Sequence, residues 1–301
     1  NLKHMQAHLL AQHAQRETWY YPESAYWITF DNSLPALLLP YLSARLRDIN
    51  FCDSVGIPGH VTFSSGWGYG YGLVDWSIAR WSWAHTWQGL PLTPEYTPTQ
   101  HVHSLFGEQQ VTDFFAQATA LQNDYLIGQE LMRYVAAQTI TDEARILDLP
   151  LQPRPPYPYK YLARKATQAE LDSVRTSGVE PLVNFHFYHT RLAQTLRDSL
   201  RPIARRLGPE RAALLQELLH STRLTALRAQ HRAHTLAYLM SRRYAEVMPG
   251  AQAKPELLQT AVQVRKQAQT LVQLRGLQFR YPYQWMAGED LDSHTAYHFG
   301  Y

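Results

Sequence analysis

The chain has 301 residues, 18% of them charged and 12% aromatic, and a formal net charge of +3. That length allows one large domain or two ordinary ones with a substantial core. So small a net charge does not imply a nucleic-acid or membrane partner for the whole molecule. No apolar run reaches the roughly 18 residues that a membrane helix needs, and one cysteine, Cys52, excludes an internal disulfide framework and a cysteine-based zinc cluster.

Residues 1–16 alternate in a helical way, and without a basic region followed by an apolar block they are not a signal peptide. The opening NLKHMQ and the closing AYHFGY leave a complete chain and a fragment of a longer one as equal readings. WYYPESAYWITF is rich in aromatic and β-branched residues and runs into Asp31-Asn32-Ser33, a strand entering a loop. LPALLLPYLSARLRDINFCDSVG has helical spacing and closes at Gly56. IPGHVTF reads as a second short strand, the glycine-aromatic loop follows, and LVDWSIARWSW is helical again. Two βα units in succession predict a parallel sheet or barrel segment.

Past the PLTPEYTPTQ loop, residues 108–140 read as one helix, and PLQPRPPYPY as an extended link. From about residue 167 helical patterns dominate, with breaks expected at Pro181, Pro202, Gly208-Pro209, Pro249-Gly250 and Pro255. The stretch from Pro209 to Val247 reads as one long amphipathic helix with a proline in its first turn. The expected fold is therefore an α/β portion over 1–150, with a partial βα-barrel-like segment, followed by a mainly α-helical domain over 151–301.

The glycine-aromatic loop, FSSGWGYGYGLVDW, spaces Gly66, Gly68, Gly70 and Gly72 by two. It lacks the lysine and hydroxyl of a Walker loop, and the third glycine of a dinucleotide fingerprint is absent. Its glycines ease unusual dihedrals, and Trp67, Tyr69 and Tyr71 between them, with Tyr26, Trp27 and Trp76, offer flat apolar faces that can stack a sugar ring. The plainer reading is ordinary core packing, since tryptophans are usually well buried. Glycoside hydrolysis uses two carboxylates. Asp31 at the end of the first strand, Asp75 after the glycine loop and Glu23 before the first strand are the candidates. Asp75 as a helix N-terminal acid and Asp31 as a cap or turn residue are the competing structural readings.

His101-x-His103, His186-x-x-His189 and Glu217-x-x-His220 have ligand-like spacing, but a di-iron bundle needs the Glu-x-x-His element twice and no HExxH occurs. No metal site and no cofactor are expected. Residues 190–243 hold eleven arginines, no lysine and three acids, a local balance of +8. Solvated helix faces explain such a bias, and a surface for an acidic partner competes with them. No G-x-S-x-G elbow supports serine catalysis.

The stretches ETWYYPESAYWITFDNSLP and GIPGHVTFSSGWGYGYGLVDWSIARWSW resemble the closing strands of glycosidase-like (β/α)8 barrels, in uncharacterised exported bacterial proteins distantly similar to hexosaminidase-type families. The similarity covers about residues 17–135. It implies a bacterial carbohydrate-active protein, a glycoside hydrolase or its C-terminal substrate-lining portion, with an oligo- or polysaccharide as partner and a secreted or periplasmic location favoured over a cytoplasmic one. The acid pair of such barrels belongs to a middle strand with no counterpart here, so this chain would supply lining aromatics and the missing remainder the main acid. In that reading Trp67 and Tyr69 or Tyr71 stack the sugar, while Asp31 and Asp75 bind hydroxyls or act as acid and base. Two alternatives stand beside it: a non-catalytic helical interaction module binding an acidic partner, and a metal-dependent oxidase built on helices.

Overall fold

The computed structural model describes residues 2–21, 37–61, 71–83, 86–87, 90–91, 97–135 and 159–276. About 83% of the described residues are helical. Helix α1 (Leu2–His13) is followed by α2 (Leu39–Ser54), α3 (Tyr71–Trp83), α4 (Thr97–Phe106) and α5 (Gln109–Gln122). Then come α6 (Met132–Val135), α7 (Tyr159–Arg164), α8 (Gln168–Val174), α9 (Glu180–Leu207), α10 (Pro209–Val247) and α11 (Pro255–Gly276). The extended pairings among the described residues are one antiparallel pair, β1 (Thr86–Trp87) with β2 (Leu90–Pro91), and one parallel bridge between Tyr20 and His60.

These observations correct the expected fold class. A βα unit needs a sheet against which its helix buries an apolar stripe. Among the described residues the two aromatic-rich segments meet in one bridge, where Tyr20 N–H donates to Gly59 O and Val61 N–H donates to Tyr20 O. Helices α2 and α3 bury their stripes on each other and on neighbouring helices instead: Leu42, Leu46, Ile78 and Trp81 share one core with Phe115, Leu182, Phe185 and Leu218. The described chain holds no barrel-like segment, and the resemblance to a glycosidase-like (β/α)8 barrel is overturned with it.

Long helices organise the second half. Helix α10 starts at Pro209, where a missing N–H is harmless, and continues for 39 residues to Val247. It packs along α9 on one side and α11 on another. The turn into it is Gly208, whose φ of 76° favours glycine. Pro181 and Pro202 do not break the chain's helices. A π-helical turn, Arg175–Val179, joins α8 to α9, and Glu180 N–H donates to Arg175 O, five residues back. That wider turn moves the carbonyls against which the Pro181 ring would press. Pro202 lies inside α9 on its exposed side, where the carbonyl four residues back is not forced to find a partner in the core. The helix expected over 108–140 is likewise modified: α5 ends at Gln122 and passes into a second π-helical turn, Asn123–Gly128, and Glu130 takes a φ of 56°.

The residues at the start of α2, Leu37, Leu38 and Leu39, are buried. Side chains from distant helices pair their backbone groups. Leu39 N–H donates to Gln122 Oε1 at 2.8 Å, and Gln122 Nε2 donates to Leu37 O at 3.0 Å. Leu37 N–H donates to Thr225 Oγ1 at 2.9 Å. The second hydrogen of Gln122 Nε2 goes to His189 Nε2 at 2.9 Å, which makes that imidazole nitrogen an acceptor and the ring neutral. Replacing Gln122 by Leu leaves the Leu39 N–H and Leu37 carbonyl buried without this partner. We expect Gln122→Leu to lower unfolding free energy by about 2–4 kcal/mol, measured by urea denaturation; an unchanged midpoint would show that the clamp carries no stability.

Candidate functional site

Of the residues singled out for sugar binding and catalysis, Glu23, Tyr26, Trp27, Asp31, Trp67 and Tyr69 lie outside the described residues. Tyr71 opens α3, and Asp75 and Trp76 lie half-buried within that helix. The Trp76 ring meets buried His101 edge-on at a centroid distance of 5.1 Å, and Trp81 packs on the same imidazole at 5.2 Å. Among the described residues this corner joins two indoles to a histidine rather than a pair of carboxylates to an aromatic floor. With the barrel gone, glycoside hydrolase chemistry and carbohydrate binding have no support in the described structure.

The histidine pairs also part company. His101 faces Trp76 and Trp81, whereas His103 Nδ1 lies 2.9 Å from Thr112 Oγ1. His189 is held by Gln122, while His186 Nδ1 donates to Ala226 O at 3.0 Å. Glu217 and His220 are both buried on α10. Among the described residues no group of three or more His, Cys, Asp or Glu side chains is placed to hold a metal ion.

Two sets stand out among the arginines of α9 and α10, and the sequence does not separate them. One set ties elements together. Arg228 Nε donates to Val135 O, Arg232 to Tyr159 Oη, and Arg243 Nε to Ala166 O. Arg206 forms a bidentate pair with Glu108 at 2.8 and 2.6 Å, joining the end of α9 to the start of α5; its guanidinium draws the Glu108 carboxyl below the usual range. The other set is exposed: Arg197, Arg201 and Arg205 follow one another at four-residue intervals. At 100° per residue they share one side of α9 with His186 and Thr190, within an arc of about 100°. Exposed Asp198 reaches Arg197 at 3.5 Å, a surface pair of little energetic weight.

His186 and Thr190 form one wall of a trough of about 640 Å³. Arg223, Leu227 and Gln230 of α10 make its floor, and Gln263, Lys266, Gln267, Thr270 and Leu271 of α11 its far wall. Among these described lining residues two are cations and none is an acid. From His186 to Arg205 the shared side of α9 runs about 29 Å. Its members recur at helical spacing on each of three helices, a periodicity visible in sequence, but no local motif brings the three together. Comparison with protein-family models, with curated proteins and with solved structures finds no significant match.

Several imidazoles are held neutral by burial. Burial lowers His101 to about 4, with Arg80 adding to the effect. It lowers His231 to about 4 beside Arg228, Arg232 and Arg265, and His189 to about 3. Each of these folded values lies below the unfolded value of 6.5, so the unfolded chain takes up protons first as pH falls. Stability present above about pH 6.5 is then lost toward pH 4, at up to ~1.4 kcal/mol per pH unit for each histidine. Urea midpoints taken from pH 7.5 to 4.5 should fall steadily, and a His189→Gln variant should show a shallower fall than the parent chain.

Proposed function

We propose that this chain is a non-catalytic helical interaction module whose α9–α10 face binds an acidic partner. The observation carrying this reading is the exposed row of Arg197, Arg201 and Arg205, which lies on the same side of α9 as the acid-free trough wall. Charge in such a row acts collectively: each guanidinium presents a planar fork suited to carboxylates, and the cluster raises the local concentration and arrival rate of an anionic surface. The arginines that bond Val135, Tyr159, Ala166 and Glu108 hold the scaffold, which leaves the row for recognition.

Fluorescence anisotropy of a labelled polyglutamate peptide, titrated with the full chain, tests the reading. Binding should be saturable and weaken steeply as salt rises. Arg197→Ala/Arg201→Ala/Arg205→Ala should reduce affinity by at least about tenfold with helical content unchanged by circular dichroism. Absence of binding at low salt, or equal binding by the triple variant, would refute the proposal.

A further inference from the structure

We infer that the trough between α9, α10 and α11 is the specificity pocket of this acidic-partner face and takes an apolar side chain from an extended acidic polypeptide. The inference rests on the proposed function and adds the class of ligand and the place where it is read.

The chemistry of the trough is mixed in a way the arginine row is not. Leu227 and Leu271 are half-buried and pack against Leu224 and Ala268, so part of their apolar surface remains toward the trough. An apolar side chain seated there removes that surface from water. Around it stand Gln230, Gln263 and Gln267, each able to donate and accept, as the N–H and C=O groups of an extended peptide require. Thr190 and Thr270 add hydroxyls, and Lys266 and Arg223 supply positive charge for flanking carboxylates. Ala226 O holds the His186 ring by Nδ1, so the wall on the α9 side is ordered. A volume of about 640 Å³ falls within the ~300–1,000 Å³ of typical ligand sites.

Charge complementarity and length select the occupant. Among the described lining residues there is no carboxylate to repel an acidic chain. The described lining residues also include no phenylalanine, tyrosine or tryptophan, whose faces single-stranded nucleic acids stack upon. A peptide of about ten residues spans ~33 Å when extended, enough to reach along the ~29 Å from His186 to Arg205. The trough would receive its apolar side chain while glutamates or aspartates lie along Arg197, Arg201 and Arg205.

Two fluorescein-labelled peptides of about ten residues test this with the full chain, one all glutamate and one with a leucine within the run. The leucine peptide should bind about tenfold more tightly. Thr270→Trp, a substitution at an exposed trough position, should abolish that advantage; Lys266→Glu should weaken binding of both peptides. Circular dichroism confirms that each variant folds. Equal affinity for the two peptides, or an advantage that survives Thr270→Trp, overturns the trough assignment while binding lost in the triple arginine variant still upholds the acidic-partner reading. Failure of both peptides to bind the parent chain overturns the two together. Single-stranded DNA of matching charge that binds as tightly as the leucine peptide overturns the polypeptide assignment.

Discussion

Buried backbone at the start of a helix must find its hydrogen bonds outside that helix, and this fold turns on how Leu37–Leu39 finds them. Gln122 at the end of α5 and Thr225 in the middle of α10 provide them from side chains. The contacts link residues 83–188 positions apart in sequence. They fix where α2 begins, dock the first half of the chain on α10, and hold His189 in one tautomer. Polar residues inside α10 thus hold the fold together, since Thr225 donates to Ser221 O within its own helix while also meeting the Leu37 backbone.

Helices α9 and α10 separate their arginines by depth. Arg228 and Arg232 are buried and reach elements of the middle of the chain, Val135 and Tyr159. Such arginines are ordered and desolvated, and removing one would strand a buried partner. Arg197, Arg201 and Arg205 on α9 are exposed instead and keep their charge toward solvent. A basic helical surface and a polar core can therefore come from one run of arginines, with depth setting the role of each.

The two π-helical turns belong to this arrangement. One follows Gln122 directly, and the other precedes Pro181. In the second, Gly178 brings the helix against Tyr134: an added Cβ there would lie 3.0 Å from Tyr134 Cζ. A wider turn thus lets a proline stay within a helical run and lets α6 approach closely.

By itself the sequence determined the helices whose signals are local. The closing of α2 near Gly56, with its φ of 78°, and the start of α10 at Pro209 were legible in residue type and period. Trp76 belongs to an aromatic cluster and His101 to a histidine pair in sequence, and their contact is not legible there because it crosses 25 positions without a motif. Residue types near Tyr20 and His60 suited strands, and among the described residues they meet in one parallel bridge. Only tertiary structure decided that Gln122 and Thr225 would bond the backbone at the start of α2, and which arginines would be buried. Each depends on which distant surfaces meet, and local propensity carries no record of that.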